Sequence, residues 1–215
     1  MPEIEVHSLP TTTHGRVLVR PARAAAARGV LVGFHGYMEN ASIQMKRLEA
    51  VPGTAAWTLV AIQALHRFYR GRSEEVVASW MTREDREDAI ADNLAYVASA
   101  FDLVPHDDRT RIIYAGFSQG VAMAFRASVR GRERASGVIA VGGDVPPELL
   151  ADASAEFPPV LLLRATRDDW YTSAKHEADV AALSARGTRV HRVVYDGAHE
   201  WNAAVGEEVS AFIRG

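Results

Sequence analysis

Arg111-Ile-Ile-Tyr-Ala-Gly-Phe-Ser-Gln-Gly120 joins an apolar run to a G-x-S-x-G pentapeptide, and residues of helical period follow it. Consecutive apolar positions over Arg111–Ala115 suit a strand buried on both faces, and Gln119–Val129 reads as a helix. A chain that turns from strand to helix this tightly crowds its own backbone. Glycine two positions either side of Ser118 removes the Cβ atoms that would collide. The serine is then expected in a strained conformation at the carboxyl edge of a sheet, close to backbone N–H groups and the positive end of the helix. The bare pattern arises by composition in roughly one chain in fifteen of this length. Its weight therefore comes from the strand before it, the helix after it and the partners available elsewhere.

Outward from this stretch, short β-branched runs alternate with helical segments. Gly29–Phe34, Thr58–Ile62, Gly137–Val141, Pro159–Arg164 and Val190–Tyr195 read as further strands. Ile4–His7 and Arg16–Arg20 read as an N-terminal hairpin around Pro10 to Gly15, and Ala24–Ala27 as a turn. Thr82-Arg83-Glu84-Asp85 resembles a capping box that opens a helix. Ile90, Leu94, Val97 and Phe101 mark one face of that helix, which Asp102 and Pro105 end. Ser173–Arg186 and Trp201–Ile213 complete the helices. The alternation predicts one α/β domain over residues 1–215, with a mostly parallel sheet covered by helices on both faces.

A serine hydroxyl needs a base to take its proton, and histidine is the usual one. Of the eight histidines, His199 alone lies in a glycine-containing loop, Asp196-Gly-Ala-His-Glu200, between the last strand and the last helix. A loop there reaches the edge where Ser118 emerges. The orienting acid is expected between serine and histidine in the chain, and Asp168 and Asp169 both follow the strand Pro159–Arg164. Asp144 also follows a strand but is less well placed. A tetrahedral intermediate needs two N–H donors. Gln119 N–H is one candidate. Tyr37 N–H, in the turn after Gly33-Phe-His-Gly36, is the other, with His35 bracing that turn.

Composition narrows the alternatives. The chain has 215 residues, a formal charge of −3 and no cysteine, which excludes thiol catalysis and Cys-ligated metals. That balance gives no electrostatic grip on nucleic acid. Met1 to Pro10 lack an apolar signal core, and no run approaches the roughly 18 apolar residues of a membrane span, so a cytoplasmic protein is expected. No histidine pair has ligand spacing on one helix, so neither metal nor other cofactor is expected. A homodimer is one candidate assembly, and the sequence does not decide the oligomeric state.

With these residues assembled, the chain resembles the phospholipase/carboxylesterase branch of the α/β-hydrolases, which includes acyl-protein thioesterases. The matching motifs are His35-Gly36, Ser79-Trp80, Gly116-Phe-Ser-Gln-Gly120, Thr166-Arg-Asp168 and Gly197-Ala-His199. The resemblance implies an α/β-hydrolase fold, and it favours Asp168 over Asp169 as the acid. It also implies a serine esterase acting on a small-molecule ester. Thioesterase and lysophospholipase activities are the alternatives within the family, and a non-catalytic ligand-binding relative is the alternative outside it. The chain departs from the family at Tyr37-Met-Glu-Asn40, at Val121 and at Gln63–Tyr69. Only Gly142–Pro158 separates two later strands, too little for a large cap. An open pocket is expected, with Phe68, Trp80, Trp170 and Trp201 near it, and Arg67, Arg70 and Arg72 on a neighbouring solvated loop.

Overall fold

A computed structural model describes residues 4–24 and 26–215. In chain order the elements are β1 (Arg16–Arg20), β2 (Gly29–Phe34), α1 (Ala41–Ala50), β3 (Trp57–Gln63), β4 (His66–Tyr69) and β5 (Val76–Ser79). There follow α2 (Arg86–Phe101), β6 (Ile112–Phe117), α3 (Gln119–Arg130), β7 (Gly137–Val141), α4 (Pro147–Ala151), β8 (Val160–Ala165), α5 (Ser173–Ala185), β9 (Val190–Tyr195) and α6 (Ala203–Arg214). Seven strands form one sheet in the order β1-β3-β2-β6-β7-β8-β9, and β4 and β5 pair separately as a hairpin. Within the large sheet only β1 is antiparallel to its neighbour. The carboxyl ends of β2, β6, β7 and β8 therefore lie along one edge, where ligands bind in open sheets of this kind.

The consecutive apolar runs are explained by two separate apolar layers. Val30, Val32 and Phe34 of β2 face one of them, together with residues of α2, α3, α4 and α5. Leu31 and the opposite faces of the other strands meet α1 and α6 in the second. Each Val, Leu or Ile removed from water in this way contributes about 1.5–3 kcal/mol. With helices on both faces, β2, β6 and β7 are buried at every position.

Several local expectations are corrected. Ile4–His7 forms no strand; Ile4 and Val6 are exposed, and β1 pairs instead with the long apolar β3. The expected turn at Ala24–Ala27 includes Ala25, and Met1 to Pro10 includes residues 1–3; these positions lie outside the described residues. No capping box opens α2. Asp85 takes a left-handed backbone (φ 45°) without a side-chain cap, and the Thr82 hydroxyl accepts the nearby Glu84 N–H at 3.2 Å. Such short local bonds compete with helix capping. The last helix starts at Ala203, two residues later than expected, because the Asn202 side chain caps it through Val205 N–H.

Helix α1 and the β4–β5 hairpin go beyond what the sequence pattern predicts. The buried stripe of α1 is short (Ala41, Met45 and Leu48) and is interleaved with polar side chains. The connection from β7 to β8 holds only the five-residue α4, and no cap domain is evident among the described residues. No described helix is long and apolar enough to cross a membrane.

Candidate active site

Ser118 occupies the turn between β6 and α3 with φ 52° and ψ −120°, a conformation that L-residues rarely adopt. The flanking glycines explain how the turn closes. A Cβ on Gly116 would lie 2.4 Å from the Gly120 carbonyl oxygen, and one on Gly120 would lie 2.2 Å from that of Phe34. Ser118 N–H donates to Val141 O at 2.9 Å, which ties the turn to the end of β7.

His199 Nε2 lies 2.9 Å from Ser118 Oγ, and its Nδ1 lies 2.8 Å from Asp168 Oδ2. The other oxygen, Asp168 Oδ1, accepts the N–H groups of Trp170 and Tyr171 at 2.9 and 2.8 Å. The Asp168 side chain is wholly buried, so these polar contacts are what hold its charge in place. Asp169 is exposed and Asp144 pairs with Lys175 at 3.2 Å; neither reaches His199. The two loops that supply acid and imidazole are stitched together. Arg167 N–H donates to Gly197 O at 3.0 Å, and the Arg167 side chain meets Asp196 at 2.6 Å.

The turn after β2 packs directly on the start of α3. The two backbones approach so closely that a Cβ on Gly120 would strike the carbonyls of both Phe34 and His35. Among the described residues, neither Tyr37 N–H nor Gln119 N–H has a hydrogen-bond partner. His35 is buried at the base of this turn, and burial lowers its proton affinity. It accepts Ala64 N–H at Nε2 (3.0 Å), so Nδ1 carries the proton and donates to Gly36 O (2.7 Å). A neutral imidazole saturated in this way is a brace.

Sequence reasoning missed the Glu39–Arg47 clamp, Gly142 and the bracing role of the Gln119 side chain. Glu39 accepts Gly36 N–H at 2.8 Å and is held by Arg47 at 2.6 Å. The Arg47 guanidinium stacks 4.3 Å over the Phe117 ring, which in turn lies 5.0 Å from the His199 ring. Gly142, at φ +64°, leaves room for the acid and imidazole; a Cβ there would come within 3.2 Å of Asp168 Oδ2 and of His199 Cε1. The Gln119 side chain accepts Trp80 N–H (3.0 Å) and donates to Met81 O (3.0 Å), locking residues 79–81 onto the turn. The sequence signals for these are the departure from the family pattern at Tyr37-Met-Glu-Asn40 and, for Gln119 and residues 79–81, the matching motifs Gly116-Phe-Ser-Gln-Gly120 and Ser79-Trp80.

A cavity of about 360 Å³ opens beside Ser118, walled by Met81, Arg86, Arg126, residues 142–147, Trp170 and Lys175. Of the four aromatic residues expected near the pocket, Trp170 lines it. Trp80 does not: it is fully buried, packs edge-on against Phe34 at 5.4 Å and donates its indole N–H to His35 O. A ring at this position is drawn into the core because its single N–H finds a backbone acceptor there. Phe68 packs on Tyr37 at 6.0 Å in the β4–β5 hairpin, and Trp201 packs on the α1–α6 layer. Arg67 and Arg70 donate to backbone carbonyls of His14 and Met38, and Arg72 is exposed; none of the three lines the cavity. Among the described residues, no group of three His, Asp or Glu side chains could hold a metal ion.

The family model described as phospholipase/carboxylesterase matches residues 81–215. Among solved structures, esterase PE8 superimposes with a TM-score of 0.76 at 23% identity, over 94% of this chain and 99% of that one. Acyl-protein thioesterase 2 of Zea mays gives a TM-score of 0.72 at 20% identity, over 94% and 98% of the two chains. The Bacillus cereus carboxylesterase gives 0.66 at 16%, over 93% of each. These likenesses carry the fold. A search of curated proteins found no match. The family model spans more than half of the chain, including the Ser118 turn and both loops that meet it, and the chain belongs to the phospholipase/carboxylesterase family of α/β-hydrolases.

Proposed function

We propose that the protein is a serine carboxylesterase whose 215 residues act as one catalytic domain in the cytoplasm. The observation that carries this reading is the unbroken hydrogen-bonded chain from Ser118 Oγ through His199 to Asp168, with the serine held on a strained turn. In the first step His199 Nε2 takes the Ser118 proton as Oγ bonds to the ester carbonyl carbon. The carbonyl oxygen becomes an oxyanion, which the N–H groups of Tyr37 and Gln119 receive. The intermediate collapses, the carbon–oxygen bond to the alcohol breaks, and His199 gives its proton to that alcohol. Water then repeats the sequence on the acyl-enzyme: His199 removes a proton, hydroxide adds to the acyl carbon, and Ser118 leaves with the proton returned. Asp168 holds Nδ1–H throughout and balances the imidazolium charge.

Ser118→Ala should abolish hydrolysis of p-nitrophenyl acetate and labelling by a fluorophosphonate probe, while leaving the unfolding transition in place. Activity that survives the substitution would overturn the assignment. Thioesters and lysophospholipids would be cleaved by the same steps, and an acyl ester, thioester and anilide series ranks these leaving groups. A non-catalytic binding protein would react with none of them.

A further inference from the structure

We propose that the cavity beside Ser118 is an anion subsite, in which Arg86 and Arg126 bind the carboxylate of an acidic ester substrate. The inference deepens the esterase reading and rests on it. Arg126 is 1% exposed yet lines the cavity, and a buried cation needs strong acceptors. Among the described residues its only carboxylate partner is Glu148, where Nε and Nη2 both reach Oε1, at 2.7 and 2.6 Å. Arg86 shares the same carboxylate, with Nη2 3.5 Å from Oε2. The Nη1 of each guanidinium is turned to the thioether sulfur of Met81, at 3.4 Å for Arg126 and 3.3 Å for Arg86. A thioether is a weak acceptor. Two cations thus share one carboxylate, and each keeps an N–H on a partner that a carboxylate oxygen easily outcompetes. Across the cavity Lys175 is already paired with Asp144, and Glu87 of α2 is exposed.

Geometry also sets the spacing. Ser118, Ala122 and Arg126 follow one another at four-residue intervals and all line the cavity. Eight residues of helix separate Ser118 from Arg126 by about 12 Å, and the arginine stem leans back toward the helix start. The side chain reaches roughly 6 Å, only part of it along the helix axis. After a hydrogen bond of about 3 Å, about 4–6 Å remain, or about three to five bonds, between the ester carbonyl and the bound carboxylate. Half-esters of four- to six-carbon diacids have that span.

The test compares monoethyl with diethyl esters of succinic, glutaric and adipic acids by pH-stat titration. The half-ester is expected to have at least tenfold higher kcat/KM than the diester, with the preference shrinking as salt is added. Arg86→Gln, at a half-exposed position that tolerates the change, should lower the half-ester to diester ratio at least fivefold. Arg126→Met should lower it further, if that variant folds. In the Ser118→Ala background, glutarate or adipate binding measured by calorimetry should weaken on adding Arg86→Gln. Equal rates for half-esters and diesters in a protein that hydrolyses p-nitrophenyl acetate would overturn the subsite, as would a ratio indifferent to Arg86→Gln. Dicarboxylate binding that depends on Arg86, in a protein inert to every ester, would instead retain the subsite and overturn the esterase.

Discussion

Removing the Glu39 carboxylate tests whether the turn after β2 is a working part of the site. Glu39 accepts Gly36 N–H at 2.8 Å and pairs with Arg47, both side chains being about one-sixth exposed. Glu39→Ala leaves Gly36 N–H without its acceptor and Arg47 without its counter-charge. Breaking a largely buried pair of this kind costs about 2–3 kcal/mol of stability. If Tyr37 N–H receives the oxyanion, the loosened turn also forfeits much of a donor worth about 2.7–4 kcal/mol in the transition state. The expected outcome is a fall of about 30- to 300-fold in kcat for p-nitrophenyl acetate with KM little changed, because the lost contact forms with the oxyanion rather than with the bound ester. Glu39→Gln keeps an acceptor for Gly36 and should lose less than about tenfold. Urea titration separates the two effects. If Glu39→Ala lowers the urea midpoint but keeps full kcat, the turn is scaffold only and the oxyanion donor is not Tyr37.

Asp168→Asn should turn its oxygen to the N–H groups of Trp170 and Tyr171 and present its amide to His199 Nδ1. That forces the proton onto Nε2, where it cannot accept from Ser118, and kcat should fall by about 10⁴; Asp169→Asn should change kcat less than twofold, and the reverse ranking would reassign the acid. Gly142→Ala places a methyl within 3.2 Å of both Asp168 and His199 at a left-handed backbone position. It should cut kcat about tenfold or more while costing about 1–2 kcal/mol in stability, and an unchanged kcat would show that the site yields freely there. Asp179 is buried against Val145 N–H and Tyr171 O–H, and burial pushes its carboxyl up to about 6 from 3.8. A raised carboxyl pKa means that the folded state holds the proton more tightly, so this contribution is complete only below pH 3.8 and is lost as pH rises from there through about 6. Asp179→Asn, which mimics the protonated form, should therefore gain about 1–2 kcal/mol over the wild type at pH 8 and almost nothing at pH 4; a gain equal at both pH values would refute the cause.

The sequence by itself determined the features that depend on local pattern. Strands buried on both faces must be apolar at consecutive positions, so β2 and β7 are legible to the residue. The Ser118 turn is legible because only glycine fits at Gly116 and Gly120. Features that depend on partners distant in the chain stay hidden. Helix α1 folds because β2 and β3 offer its short apolar stripe a surface, and Trp80 turns inward because His35 O awaits its N–H. Which of two adjacent aspartates meets His199 is set by the backbone path of the loop, which its side-chain pattern does not show. Two backbone N–H groups pull Asp168 inward while Asp169 faces water. The Glu39–Arg47 clamp and the Arg86–Arg126–Glu148 cluster join residues that no local pattern connects. Charge is legible in sequence only as a total; its placement beside Ser118 is decided by how α2, α3 and α4 pack.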